Sequence, residues 1–225
     1  MEKRSIFVAE AVGTYALVLA GTGAIIINDL YGGALGHLGI ALVFGMVVMA
    51  MIYAVGEVSG AHFNPAVTLG FVAAKRMPLS EAPLFIIAQL TGAILASASL
   101  WALLPEHPTM GATLPSGSQG QSFGFEIILT AILMFVILCV STGAKEKGIS
   151  AGAAIGATVG LEALFAGPVT GASMNPARSI APALFSGELN DLWIYIAAPI
   201  IGAMLAVMIC RHVHDCDDGE CCGPE

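Results

Sequence analysis

One tripeptide occurs twice, as Asn64-Pro65-Ala66 and Asn175-Pro176-Ala177. Asparagine before proline is a helix start: its side chain caps orphan N–H groups, and proline at the first helical position sacrifices no bond. An amide held there can also donate an N–H to a passing oxygen, with the helix dipole reinforcing that orientation. Capping and presentation are compatible. Arg178 follows the second copy closely; its five donors can replace water's hydration bonds while its fixed charge repels cations. This is equipment for handling small uncharged polar molecules. The sequence shows no catalytic constellation and no phosphate-binding loop, so neither an enzyme nor a cofactor is expected.

The elements that must position these residues are apolar. Of 225 residues, 57% are hydrophobic and 11% charged, against roughly 25% charged in a soluble domain. Apolar stretches cover 6–27, 38–55, 82–104, 123–140, 149–165 and 192–210. Each has about the length a helix needs to cross a hydrocarbon slab of about 30 Å. The fold class is an all-α membrane protein with six transmembrane helices. Lys3, Arg4, Lys75, Arg76, Lys145, Lys147 and Arg211 fall in alternate segments, all on one side of the spans, while the loops on the other side carry Asp29, Glu106, Glu188 and Asp191 and, of the basic residues, Arg178. The positive-inside rule puts both termini in the cytoplasm. A formal net charge of −8 argues against nucleic acid as a partner. Cys139 and Cys210 lie in spans, and Cys216, Cys221 and Cys222 in the tail, so no disulfide framework is expected.

The chain repeats itself. Phe7-Val-Ala-Glu10 is echoed by Phe123-Gly-Phe-Glu126, and Ser59-Gly60-Ala61 before the first motif by Thr170-Gly171-Ala172 before the second. Three spans per half is an odd number, so the halves insert with opposite topology, which places a transport path at their interface. The division is 1–104 for the first inverted repeat, 105–120 for an extracellular connector, 121–210 for the second repeat and 211–225 for a cytoplasmic acidic tail. Segments 65–74 and 176–185 are too short to cross, roughly 15 Å as helix. They read as re-entrant half-helices entering from opposite faces. Irregular backbone at that depth survives only where protein buries it or water lines it.

The duplicated Asn-Pro-Ala, the paired Glu10 and Glu126, and Arg178-Ser179 resemble the aquaporin (major intrinsic protein) family over about residues 5–210. The resemblance implies a homotetramer with a pore in each subunit, passing water and small neutral solutes across the plasma membrane. It implies a selectivity filter of Phe44, Ala163, Ala172 and Arg178. Backbone carbonyls of Gly60, Ala61 and His62, and of Gly171, Ala172 and Ser173, form an acceptor ladder, with His62 holding its loop. Glu10 and Glu126 accept N–H bonds from the two loops. Water-selective relatives usually place histidine where Ala163 stands, and glycerol facilitators aspartate where Ser179 stands. The sequence departs from both: water is expected, with glycerol, urea, hydrogen sulfide and neutral metalloid acids open. The compact chain and short termini suggest a prokaryotic member, archaeal types included. A secondary transporter, which also uses inverted repeats and broken helices, is the reading from another class.

Four features stand outside this pattern. Glu162 lies deep in a span beside Ala163 and faces either a neighbouring helix or a water pocket. Glu57 ends the second span, where it could make loop contacts pH-dependent. Gly152, Gly156 and Gly160 recur along one helical face, with Ala41 and Gly45 echoing them, as expected where spans two and five cross closely. The tail, with His212, His214, Cys216, Cys221 and Cys222, reads first as a solvated acidic segment and second as a soft-metal or metalloid site.

Overall fold

A computed structural model describes residues 2–105, 107–141 and 145–213, and the side chains of these except 145–149. Eight helices follow in order: α1 (Lys3–Leu30), α2 (Gly36–Ser59), α3 (Pro65–Ala73), α4 (Ala82–Leu103), α5 (Gln119–Val140), α6 (Lys145–Thr170), α7 (Pro176–Ser186) and α8 (Leu192–Val213). Six are long and apolar enough to span a membrane, and α3 and α7 are the two short ones. The spans outrun the apolar stretches at most ends, because a helix keeps its backbone bonds after hydrophobic sequence stops. At one end of α6 Pro168 interrupts the ladder, having no N–H for the Leu164 carbonyl. His37 Nε2 supplies the missing donor at 2.6 Å.

The helices meet through small residues. A Cβ at Gly45 would stand 2.6 Å from the Gly156 carbonyl oxygen, and one at Gly156 would stand 2.6 Å from that of Gly45. The expected crossing of α2 and α6 is therefore backbone on backbone. The repeat-related contacts α1–α4 and α5–α8 use the same device: a Cβ at Gly92 would collide with the Ala11 carbonyl, and one at Gly202 with that of Ile127. Gly92→Val is expected to destabilise the protein by about 1–3 kcal/mol through overpacking. Gly124, whose Cβ would meet nothing within 4 Å, is the control. Thermal unfolding in detergent should show Gly92→Val melting lower and Gly124→Ala unchanged; equal melting would refute the close packing.

Two sequence boundaries need correction. The connector ends at Ser118, whose Oγ caps α5 by accepting from Gln121 N at 3.2 Å, so residues 119 and 120 are helical. The tail does not begin at 211, because α8 runs on to Val213. Arg211 Nη2 donates to the Ala73 carbonyl at 2.9 Å, a cation closing the C-terminus of α3. His212 Nδ1 lies 2.8 Å from the Met208 carbonyl in its own helix. His214, Cys216, Cys221 and Cys222 lie outside the described residues.

Candidate functional site

The N-termini of α3 and α7 meet. Asn64 Oδ1 caps Ala66 N at 2.9 Å, and Asn175 Oδ1 caps Ala177 N at 3.0 Å. Each amide also reaches across: Asn64 Nδ2 donates to the Met174 carbonyl at 2.7 Å, and Asn175 Nδ2 to the Phe63 carbonyl at 2.9 Å. An amide carries two N–H groups, and one of each pair locks the opposing loop.

The loops before each motif have matching irregular backbone. Positive φ occurs at Gly60, Ala61 and Phe63 in one, and at Gly171, Ala172 and Met174 in the other. A left-handed conformation costs a non-glycine residue roughly 1–2 kcal/mol, so something must hold it. In the first repeat Glu10 does. Its Oε1 accepts from Ser59 Oγ at 2.7 Å and His62 N at 3.0 Å, and its Oε2 from Phe63 N and Gln89 Nε2, each at 2.8 Å. In the second, Glu126 accepts from Thr170 Oγ1 and Ser173 N, each at 2.9 Å, and from Met174 N at 2.7 Å. His62 Nδ1 lies 3.1 Å from Thr68 Oγ1, and its ring stacks on Phe71 with centroids 4.5 Å apart.

A cavity of about 620 Å³ runs along these loops. Gly60, Ala61, His62, Asn64, Ala172, Ser173 and Asn175 line one wall, and Val48, Leu133, Ile137, Ile155 and Val159 are among the apolar residues opposite. Pro65, Ala66, Pro176 and Ala177 are buried behind the asparagines. Gly171 packs against Thr113, where an added Cβ would stand 3.1 Å from that side chain. Phe63 and Met174 line the wall as well.

Phe44, Ala163, Ala172 and Arg178 all line this cavity. The Arg178 side chain is 2% exposed, its guanidinium carbon lies 5.2 Å from the Phe44 ring centroid, and Nη1 donates to the Gly111 carbonyl at 2.9 Å. Its Nε has no partner among the described residues. Gly21 makes room for Phe44, since a Cβ there would collide with the ring. The connector is thus part of the site: Thr113 Oγ1 donates to Ser179 Oγ at 2.8 Å, and His107 Nε2 ties it to Asp29 Oδ2 at 3.1 Å. Sequence reasoning missed Gly111, because a backbone acceptor in a loop has no side-chain signature, and Gln89, a lone amide in an apolar span that could have been flagged. At the other end Tyr53, Glu57 and Ser141 line the mouth.

Comparisons with known proteins agree with this geometry. The Major intrinsic protein family model matches residues 2–210. The chain is 47% identical to Nodulin-26 of Glycine max, over 90% of this chain and 75% of that one. It is 50% identical to Aquaporin NIP1-1 of Zea mays, over 88% and 70%. The aquaglyceroporin of Plasmodium falciparum superposes with a TM-score of 0.84 at 25% identity, covering 95% of this chain and 99% of that one. The relatives named by sequence come from plants, so the expectation of a prokaryotic member finds no support. The family model covers nearly all of the chain, and curated relatives and a solved fold agree with it: the chain belongs to the major intrinsic protein family, a multi-pass membrane channel of aquaporin type and not an enzyme.

Proposed function

We propose that the cavity conducts water and small uncharged solutes, glycerol among them, while excluding ions and protons. The observation that carries this reading is the pair of asparagine amides meeting on a lined path with a buried arginine beyond them. A water at that level accepts from both amides, so its own hydrogens point outward along the file and the relay of proton-carrying orientations breaks there. Half-helix dipoles and an arginine are the general aquaporin barrier to protons and cations. Carbonyls of Gly60, Ala61, His62, Gly171, Ala172 and Ser173 replace hydration bonds along the way.

The filter reading is supported by Phe44, Ala163, Ala172 and Arg178 all lining the cavity, with the Arg178 guanidinium 5.2 Å from the Phe44 ring centroid. Two alanines leave room in such a ring, which suits a glycerol-sized solute, and the similar Plasmodium falciparum protein is an aquaglyceroporin. Ala163→His puts a bulky ring there. Glycerol permeability is expected to fall about tenfold, a barrier rise of about 1.4 kcal/mol, with water reduced much less. Stopped-flow light scattering of proteoliposomes reads both fluxes. Equal loss of water and glycerol would reject this filter, and dependence of either flux on a Na⁺ or H⁺ gradient would reject passive conduction.

The assembly is a homotetramer in the plasma membrane with both termini cytoplasmic. Leu38, Leu42 and Met46 of α2, with Leu161 and Phe165 of α6, present an exposed apolar face suited to subunit contact. The basic residues Arg76 and Arg211 gather at one end of the bundle, as the positive-inside rule asks.

A further inference from the structure

Glu162 is a buried acid that the permeation path does not use. Its side chain is 1% exposed. It is absent from the cavity wall, although the next residue, Ala163, is on it. Neither carboxyl oxygen has a hydrogen-bond partner among the described residues. Carboxyl oxygens keep lone pairs that need donors, and buried polar atoms are rarely left without them.

The surroundings say what could supply those donors. α5 and α6 pack together and run antiparallel. Glu126 and Glu162 each stand about two turns from the connector end of their helix. They therefore share one depth, and their carboxyl groups interact electrostatically. Ser122 lies one turn from Glu126 on the same face of α5. It is fully buried, and its Oγ also lacks a partner.

The two repeats differ at this point. Glu10 Oε2 accepts from both Phe63 N and Gln89 Nε2, whereas Glu126 Oε2 accepts from Met174 N. The stretch of α8 matching Gln89, Ala198-Pro199-Ile200, contains no amide, and the counterpart of Glu162 in α2 is Met51. The second repeat has exchanged a donor for a third buried polar group.

We propose that Glu162, Ser122 and Glu126 enclose a hydration site between α5 and α6, sealed from the permeation path, whose ordered water fixes the turn of α6 that presents Ala163. Water donates to carboxyl oxygens and accepts the serine O–H. Buried waters typically make about three bonds to groups otherwise unsatisfied, and this cluster offers that number. The hydration site stands without the permeation reading; its effect on Ala163 rests on it.

The test is a structure of the full chain in lipid nanodiscs at a resolution that shows water, with glycerol and water permeability measured in parallel. Density within hydrogen-bond reach of Glu162 and Ser122 is expected in wild type and in Glu162→Gln, and is lost in Glu162→Leu. The glycerol-to-water ratio should shift about threefold in Glu162→Leu, less in Ser122→Ala, and not in Glu162→Gln. Should Glu162→Leu fail to fold, Ser122→Ala carries the test, because it removes the other end of the bridge. A dry pocket with Glu162 bonded directly to protein would overturn the proposal, and so would density that changes with the salt cation, the mark of a metal ion. Equal ratios in all variants would remove the positioning role even with water in place. A wild-type channel that passes neither solute while the density is present would sink the permeation reading and leave the site standing.

Discussion

Arg178→Val should turn a neutral-solute channel into one that leaks monovalent cations. The guanidinium is buried at the narrow end of the cavity, anchored by the Gly111 carbonyl and by the face of Phe44. Being fixed, it cannot move aside when a cation approaches. At about 4 Å and an effective dielectric near 20, the repulsion is roughly 4 kcal/mol, or nearly three orders of magnitude in rate. Valine removes that charge and widens the ring. Dye-reported cation flux in proteoliposomes is expected to rise by about two orders of magnitude or more, with osmotic water flow kept. Proton flux should rise less, because the asparagine pair and the helix dipoles at the tips of α3 and α7 are untouched. Cation flux at the wild-type level would show that the barrier lies elsewhere.

The second large effect is structural. Glu10→Ala strands four donors at once: Ser59 Oγ, the backbone N–H groups of His62 and Phe63, and Gln89 Nε2. At about 1–3 kcal/mol for each buried group left unsatisfied, the sum rivals the whole stability of an ordinary domain, about 5–15 kcal/mol. It also releases Ala61 and Phe63 from their left-handed backbone. The variant is expected to aggregate or to melt on the order of 10 °C lower in detergent. Glu126→Ala strands three donors and should be affected less. Glu10→Gln keeps one acceptor oxygen and should fall between wild type and Glu10→Ala. A monodisperse Glu10→Ala protein with wild-type melting would show that the carboxylate does not hold the loop.

These two cases differ in how they could be read from sequence. Arg178 was legible because charge is costly in an apolar span, so a lone arginine beside a helix start had to face a polar space. The carboxylate pair was legible because it recurs at the same place in both halves. Gly111 was not, since nothing in a loop's composition tells which carbonyl will meet a guanidinium across the fold. The packing at Gly171 was not legible either: repeat symmetry equates it with Gly60, but the connector, which has no counterpart in the first half, brings Thr113 against it. The helix ends at 118–119 and at 213 were also misjudged, because hydropathy marks where lipid ends and not where backbone bonding does.

The sequence by itself determined the class of molecule. Apolar runs of spanning length, an odd number of them per repeat, and two helix starts too short to cross leave one arrangement, with opposed half-helices around a wet path. Those are constraints of length, hydropathy and symmetry, and they act locally along the chain. Tertiary structure decided which atoms satisfy which: the exchange of asparagine amides between opposite loops, the Gly111 carbonyl on Arg178, and Gln89 on Glu10, with no equivalent amide at Glu126. Such pairings join residues far apart in the chain. Their geometry comes from helices closing on one another through Gly45, Gly92, Gly156 and Gly202, a distance that no single segment encodes.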